Sequence, residues 1–244
     1  DGYAVIFSSP AVFQQLFAAY GYPPGTAPYY PGVGVNTDGT VFTFGDNATP
    51  GSVVNYRGEI DPSFYNDRLL TYNTAPLTAL QLPLERTSVL LRGRYEFSPA
   101  AEAYVQALYA DYSTTRQLAP ADSGILLVPM SNPYIPPDLR TLAASRVNPG
   151  VPFRFFARPS VLGPRTARNE RDMLQVTLGV RGEAFADWHY DVYAQSGRNE
   201  RTERQDGITR ISKYQELLEA ADGGQSICGG LNVFGKGNIS AECA

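Results

Sequence analysis

The chain has 244 residues, 43% of them hydrophobic, with a net charge of −4 and a pI near 5.1. Nucleic-acid-binding domains carry a basic surface, so this acidic balance argues against a nucleic-acid partner. No apolar run of about 18 residues occurs, which excludes a membrane-spanning helix.

Residues 1–84 are predicted to form a largely irregular region that leads into the first long strand. Within it, Phe13 to Tyr20 predicts a short helix. The segment NTDGTVFTFG, from Asn36 to Gly45, predicts a small hairpin because Asp-Gly is a favoured hairpin turn.

The first long strand is predicted from Glu85 to Phe97, ERTSVLLRGRYEF, because its residues alternate with a period of two. One face is apolar, with Val89, Leu91, Tyr95 and Phe97. The other face is polar, with Arg86, Arg92 and Arg94. The turn Ser98–Ala101 then leads to a second strand, EAYVQALYADYS, whose alternation is weaker.

A run of nearly 60 residues, from about 114 to 170, separates this hairpin from the next. It is rich in Pro, Arg and Asn, and only IPPDLRTLAAS, from Ile135 to Ser145, predicts a short helix. Connections of this length are uncommon inside compact domains.

A second hairpin is predicted from the strands Arg171–Gly182 and Trp188–Asn199, joined by the turn Glu183–Asp187. Its apolar face carries Leu174, Val176, Leu178 and Val180, together with Trp188 and Tyr190 of the last strand. Its polar face carries Arg171, Arg181 and His189. After it, residues 205–244 contain a predicted helix, Ser212–Asp222, and the only two cysteines, Cys228 and Cys243.

Short turns on one side and long connections on the other are the layout of outer-membrane barrels. A strand of about 11 residues tilted by about 40° rises roughly 28 Å, which matches an apolar band. The pattern therefore predicts an all-β, antiparallel, up-and-down transmembrane β-barrel segment with two hairpins in residues 85–204. Tyr95, Phe97, Trp188 and Tyr190 would form an aromatic girdle, and the apolar-face residues Val89, Leu91, Leu174, Val176, Leu178 and Val180 would face lipid.

One alternative remains open. A soluble β-sandwich or propeller would also alternate, with the apolar face turned into a protein core. A secreted β-rich module that binds a ligand or carbohydrate, or that serves adhesion, is the corresponding alternative function.

Several stretches resemble TonB-dependent outer-membrane receptors, namely QLPLERTSVLLRGRYEF, NPYIPPDLRTLAASR, GVRGEAFADWHYDVYAQSGRNERTE and CGGLNVFGKGNISAEC. The closest resemblance is to large proteobacterial receptors with long surface loops. It implies a large barrel closed around a plug, which imports a scarce nutrient (a siderophore, carbohydrate, vitamin or peptide-like ligand) with energy from the TonB complex. Four strands cannot close a barrel, so we expect an interior piece of a longer receptor, with extracellular loops in 1–84, about 114–170 and 205–244.

No HExxH, GxSxG, P-loop or GxGxxG motif occurs in the sequence, so no catalytic, cofactor or metal site is expected, and the resemblance implies transport. Lipid, the rest of the receptor with its plug, the TonB complex and an unidentified small ligand are the partners it implies. The sequence leaves two interpretations of the polar-face arginines Arg86, Arg92, Arg94, Arg171 and Arg181. They either guide anionic ligands or pair with carboxylates of the plug or lumen, including Glu96 and Asp172. His189 is expected to point into the lumen.

Cys228 and Cys243 are predicted to form a disulfide across an extracellular loop. Each has only the other as a partner, and outer-membrane proteins mature through an oxidising compartment. Two thiolates without nearby ligands do not make a zinc site, whereas two free buried thiols remain an alternative.

Overall fold

The computed structural model describes residues 2–46, 48–59, 70–185 and 188–243. Its strands are antiparallel and helices are few, as the sequence predicts at the level of fold class. Among these residues no helix is both long and apolar enough to cross a membrane. The chain divides into two compact units. We call Ala79–Gln117 with Thr166–Asp206 the sheet unit, and Asp1–Thr78 with Leu118–Arg165 and Gly207–Ala244 the core unit.

The elements are numbered along the chain. The strands are β1 (Gly2–Val5), β2 (Gly32–Val35), β3 (Val41–Thr43), β4 (Leu84–Ser98), β5 (Ala101–Leu118), β6 (Leu126–Val128), β7 (Phe153–Ala157), β8 (Arg165–Phe185) and β9 (Trp188–Asp206). The helices are α1 (Pro10–Ala19), α2 (Pro137–Ala144), α3 (Ile211–Glu219) and α4 (Gln225–Cys228), with short 3-10 turns at Ala75–Leu77 and Ser160–Leu162.

The sheet unit is a four-stranded antiparallel sheet in the order β4-β5-β8-β9, and it contains all four predicted long strands. Both hairpins contain a bulge near the end of the pair, one between Glu96 and Ser98 and the other between Glu183 and Phe185. The predicted turn Glu183–Asp187 lies partly outside the described residues. The second hairpin is much longer than predicted, because β8 begins at Arg165 and β9 continues to Asp206. Charged residues on both faces hide the alternation there, although the backbone ladder continues. Because β5 also continues to Leu118, the run between the hairpins shrinks from 114–170 to 119–164. It is not irregular, since β6, α2 and β7 lie within it.

The core unit contains a second sheet in the order β3-β2-β1-β7-β6, of which the sequence predicted only the hairpin that joins β2 to β3. Strand β1 pairs with β7, so Tyr3 lies opposite Phe156 across more than 150 positions of sequence. Residues expected to be separate loops, in 1–84 and in the run between the hairpins, thus share one sheet. Strands of three to five residues are too short to show a period, which explains the omission.

A buried core joins this sheet to the three longer helices. The predicted helices around Phe13–Tyr20, Ile135–Ser145 and Ser212–Asp222 are confirmed as α1, α2 and α3. Helices α1 and α2 both begin at a proline, whose fixed φ suits the first helical position. Their inward faces and the C-terminal segment fill one cluster, which includes Phe13, Phe17, Leu139, Leu142, Phe153, Phe155, Leu218, Leu231, Val233 and Phe234.

Two polar contacts fix the N-terminal part of this unit. The hydroxyl of Tyr20 donates to Asp138 Oδ2 at 2.6 Å and accepts from the Val41 amide at 3.2 Å, which ties α1 to α2 and β3. Burial, and then the hydrogen bond to Asp138, raise the pKa of Tyr20 well above its ordinary value, so this hydroxyl remains protonated.

The hairpin predicted around Asp38-Gly39 is confirmed, because the turn joins β2 to β3.

Asp38 stabilises that turn. Its Oδ1 accepts hydrogen bonds from the Thr40 amide at 3.0 Å and the Thr40 hydroxyl at 2.6 Å, and its Oδ2 pairs with Arg57. Partial burial alone would raise the pKa of Asp38. The hydrogen bonds from Thr40 and the charge of Arg57 outweigh it and lower the pKa below its ordinary value. The carboxylate is therefore ionised in any neutral medium.

The predicted disulfide is confirmed: Cys228 and Cys243 are bonded, with their Cα atoms 5.0 Å apart. The loop they close is not a bare surface loop. Leu231 lies opposite Ile239 in an isolated antiparallel bridge, and Leu231, Val233 and Phe234 enter the core cluster. The bond therefore closes a segment that contributes side chains to the core.

Replacing both cysteines by serine should lower the free energy of unfolding of the core unit by about 3 kcal/mol, the loop-closure value for about 15 residues. Hydrogen exchange of core-unit amides in the full chain measures this loss. Lys236→Ser, at an exposed position inside the loop that the disulfide closes, is the matched control and should leave exchange unchanged. Alkylation of both wild-type thiols without reductant, seen by mass spectrometry, would contradict the bond.

Candidate functional site: the two faces of the long-stranded sheet

The sheet unit carries most of its apolar side chains on one face and most of its charged side chains on the other, apart from Leu90 and Leu108, which lie opposite each other on the charged face. Cross-strand register decides the face, because residues directly opposite each other in an antiparallel pair point to the same side. Val89 lies opposite Tyr109, and Leu178 lies opposite Ala194. We call the resulting set the apolar belt: Val89, Leu91, Tyr95, Phe97, Val105, Ala107, Tyr109, Leu174, Val176, Leu178, Val180, Phe185, Trp188, Tyr190, Val192 and Ala194.

The belt ends along a row that crosses all four strands. On β4 and β5, the apolar pair Val89 and Tyr109 is followed, away from the turns, by Thr87 and Asp111. On β8 the last apolar residue of the belt is Leu174, whose partner on β9 is Arg198. From Leu174 to Phe185 there are 11 steps along β8, which rise roughly 28 Å at a tilt of about 40°. A band of this height ending abruptly in charge matches the apolar thickness of a bilayer.

The residues predicted to face lipid all lie in this belt and are open to the surroundings. Val89, Leu91 and Leu178 are each 57–62% exposed. Leu174 and Val180 are exposed as well, and Val176 is half-buried. In the described part of the chain they therefore do not enter a protein core. Large exposed apolar faces of this kind are typical of surfaces that contact a protein partner, a membrane or a ligand.

Paired aromatic rings occupy the turn end of the belt. Tyr95 and Phe97 meet at 4.8 Å between ring centroids, and Phe185 and Trp188 stack at 6.0 Å. Tyr190 donates its hydroxyl to the carbonyl of Ala100 at 2.7 Å, which links the two turns. All the predicted girdle residues thus gather at one end, as interfacial aromatic residues do.

The opposite face, here called the polar face, carries a hydrogen-bonded network near the same end. Arg181 donates Nε to Glu102 Oε1 at 2.7 Å and brings Nη2 to 2.5 Å from the same oxygen. Beside it the hydroxyl of Tyr104 donates to Asp191 Oδ1 at 2.8 Å, and the Arg181 guanidinium lies 5.4 Å from the Tyr104 ring centroid. These contacts lock β5 to β8 and β9.

Gly179 makes room for this network. A Cβ at this position would lie only 2.4 Å from the Tyr104 ring, so only glycine lets the ring lie flat against β8. Sequence reasoning missed the network, because weak alternation in β5 concealed which face Tyr104 occupies. Tyr104 lies opposite Arg94 in the β4–β5 pair, and this cross-strand partner places it on the polar face.

The arginines predicted for the polar face all lie there, but one predicted pairing is wrong. Asp172 cannot pair with them, because it lies opposite Glu200 on the belt side of the sheet. Arg181 pairs with Glu102 instead. Arg171 donates Nε to Asn199 Oδ1 at 2.8 Å. Within the described ranges no ion pair joins Arg86, Arg92 or Arg94 to a carboxylate.

His189 lies on the polar face opposite Glu183, with 3.8 Å between Nε2 and Oε1, and both side chains are exposed. Across the described residues no group of three or more His, Cys, Asp or Glu side chains is arranged to hold a metal ion. The histidine therefore belongs to the rim of charged residues beside the turns.

No family model matches the chain, and no curated protein or solved structure gives a significant match. The chemical contrast between the two faces of the sheet unit is therefore the feature that indicates a function.

Proposed function

We propose that this chain is part of a TonB-dependent outer-membrane transporter, in which the apolar belt faces lipid and the polar face lines the lumen. The observation that carries the proposal is the belt itself. Exposed apolar side chains cover one face of four long antiparallel strands, end in aromatic pairs at the turns and give way to charge at the other end.

Lipid explains this distribution better than water. Six aliphatic side chains of the belt are exposed: Val89, Leu91, Leu174, Leu178, Val180 and Val192. Leaving them in water would forfeit about 1.5–3 kcal/mol for each one that could be buried. In a bilayer the same face is solvated by acyl chains. The inner strands β5 and β8 bond to a neighbour on each side, as a barrel wall requires, whereas β4 and β9 are edges that further strands would complete.

The connections also suit the proposal. The turn at Ser98–Ala101, the end of β8 at Phe185 and the start of β9 at Trp188 lie at one end of the sheet, whereas the chain leaves β5 and enters β8 at the other end. In outer-membrane barrels short turns are periplasmic and long connections extracellular. The core unit would then be built from extracellular segments, where its disulfide persists. Four strands need further strands to close, which the rest of the receptor would supply.

Cysteine labelling in intact cells tests this orientation. In the full-length protein, Pro99→Cys should resist a membrane-impermeant maleimide, because its turn faces the periplasm. Gly150→Cys, in the connection between the hairpins, should react. Both positions are exposed in the structure, so access across the membrane decides the outcome. Permeabilised cells should label both variants. Reaction at position 99 but not at position 150 in intact cells would contradict the orientation.

The core unit favours one alternative, a secreted β-rich binding module, because it has a buried core of its own. Cell fractionation separates the two functions. The transporter should be found in the outer membrane and should import its nutrient only when TonB is present. Recovery of the full-length protein from the culture medium, with uptake unchanged by loss of TonB, would favour the binding module.

A further inference from the structure

Arg86 and Arg171, which pair with no carboxylate in the described part of the chain, line one open groove on the polar face. Its volume is about 410 Å³, and it lies at the end of the sheet away from the turns. The residues around it come from three adjacent strands: Leu84, Arg86, Ala110, Tyr112, Arg171 and Met173.

The strand register explains why these residues meet. Arg86 lies opposite Tyr112 in the β4–β5 pair, and Arg171 lies opposite Arg201 in the β8–β9 pair. Strands β5 and β8 are neighbours, and Glu102 contacts Arg181 across them. In an antiparallel pair, each step forward along β5 corresponds to one step back along β8. Moving forward from Glu102 to Tyr112 therefore corresponds to moving back from Arg181 to Arg171, so Tyr112 lies opposite Arg171. One row across the sheet therefore reads Arg86, Tyr112, Arg171 and Arg201.

The charge of this row is only partly balanced. Arg201 pairs with Glu203, whereas within the described ranges no carboxylate pairs with Arg86 or Arg171. The hydrogen bond from Arg171 to Asn199 uses Nε, which orients the guanidinium and leaves its charge uncompensated. Guanidinium groups bind carboxylate, sulfate or phosphate oxygens in a bidentate manner.

The floor of the groove is apolar. Leu84, Ala110 and Met173 supply aliphatic and thioether surface, and the Tyr112 ring lies between the two arginines. Ligand sites commonly combine such an apolar lining with a few placed polar groups. A small inorganic anion would use the arginines and leave the floor bare, whereas an anion with an apolar body uses both.

We propose that this groove binds an organic anion, in which an acidic group contacts Arg86 and Arg171 and an apolar or aromatic body packs on Tyr112 and Met173. The inference rests on the proposed function, because it takes the polar face as the route of the transported ligand. It assigns that ligand a chemical class, an amphiphilic acid.

Saturation-transfer NMR on the full-length protein in detergent tests the site with benzoate, and with benzamide as its neutral match. We expect benzoate to bind at least tenfold more tightly than benzamide. Arg86→Gln and Arg171→Gln should each weaken benzoate binding by about tenfold or more, the loss of one hydrogen-bonded charge. Arg86→Lys should fall between, because it keeps the charge without the fork.

Arg204→Gln is the matched control. Arg204 is an exposed arginine in β9 that lies opposite Arg168, on the belt side of the sheet. This variant should bind benzoate like the wild type. Equal binding of benzoate and benzamide, or equal losses in all the glutamine variants, would overturn the site. Binding is measured without energy from TonB, so TonB-dependent uptake with arginine-independent benzoate binding would refute this inference and leave the proposed function standing.

Discussion

Leu178→Arg in the full-length protein should reduce the stability of the membrane-inserted state by about 2–4 kcal/mol, the cost of an arginine near the middle of a lipid-facing barrel surface. Leu178 lies in the middle of the belt on β8, between Leu174 and Gly182, and is 58% exposed. Denaturant titration of the protein folded into lipid vesicles measures the effect.

Thr177→Arg provides the matched control one position away. Thr177 lies opposite Gln195, on the polar face. If that face is wet, an added arginine there should change stability by less than about 1 kcal/mol. Leu178→Arg should therefore lower stability more than Thr177→Arg does. Equal losses, or a larger loss at position 177, would show that the belt does not face lipid.

Phe155→Ala should destabilise the core unit by about 3–5 kcal/mol, the usual cost of removing a buried phenylalanine. The side chain is fully buried, and its ring lies 4.9 Å from that of Phe234. Its backbone neighbours are Ala4 of β1 and Leu126 of β6. Phe155 of β7 therefore joins β1, β6 and the segment around Phe234, which are distant from one another in sequence.

Hydrogen exchange in the full chain distinguishes a shared core from independent loops. In Phe155→Ala, amides of β1, β7 and the segment around Phe234 should all exchange faster. Phe7→Ala, which alters a side chain that is 68% exposed, should change exchange little. Faster exchange confined to β7 would mean that β1, β7 and the segment around Phe234 fold separately.

The sequence predicts the sheet unit well, because long strands with one apolar face produce a strong period-two signal. The three longer helices and the cysteine pair were also predictable, from local periodicity and from the absence of any other cysteine. Strand ends were less predictable. Beyond Leu174 both faces of β8 and β9 are polar, so pairing continues without a hydrophobic pattern.

The core unit was not predictable as a unit. Its sheet depends on the pairing of β1 with β7, and single-sequence patterns carry no information about partners that far apart. The polar network around Tyr104 was missed for a related reason. Only register against β4 and β8 reveals that its ring lies over Gly179 and not among the girdle aromatics.

Lipid accessibility along β8 tests the central claim most directly. A spin label placed in turn at each position from Leu174 to Val180 of the full-length protein in vesicles reports collision with lipid-soluble oxygen and with a water-soluble nickel chelate. We predict a period of two, with oxygen contact highest at Leu174, Val176, Leu178 and Val180, and chelate contact highest at the positions between them. A uniform response, or oxygen contact highest at Gln175 and Thr177, would contradict a lipid-facing belt.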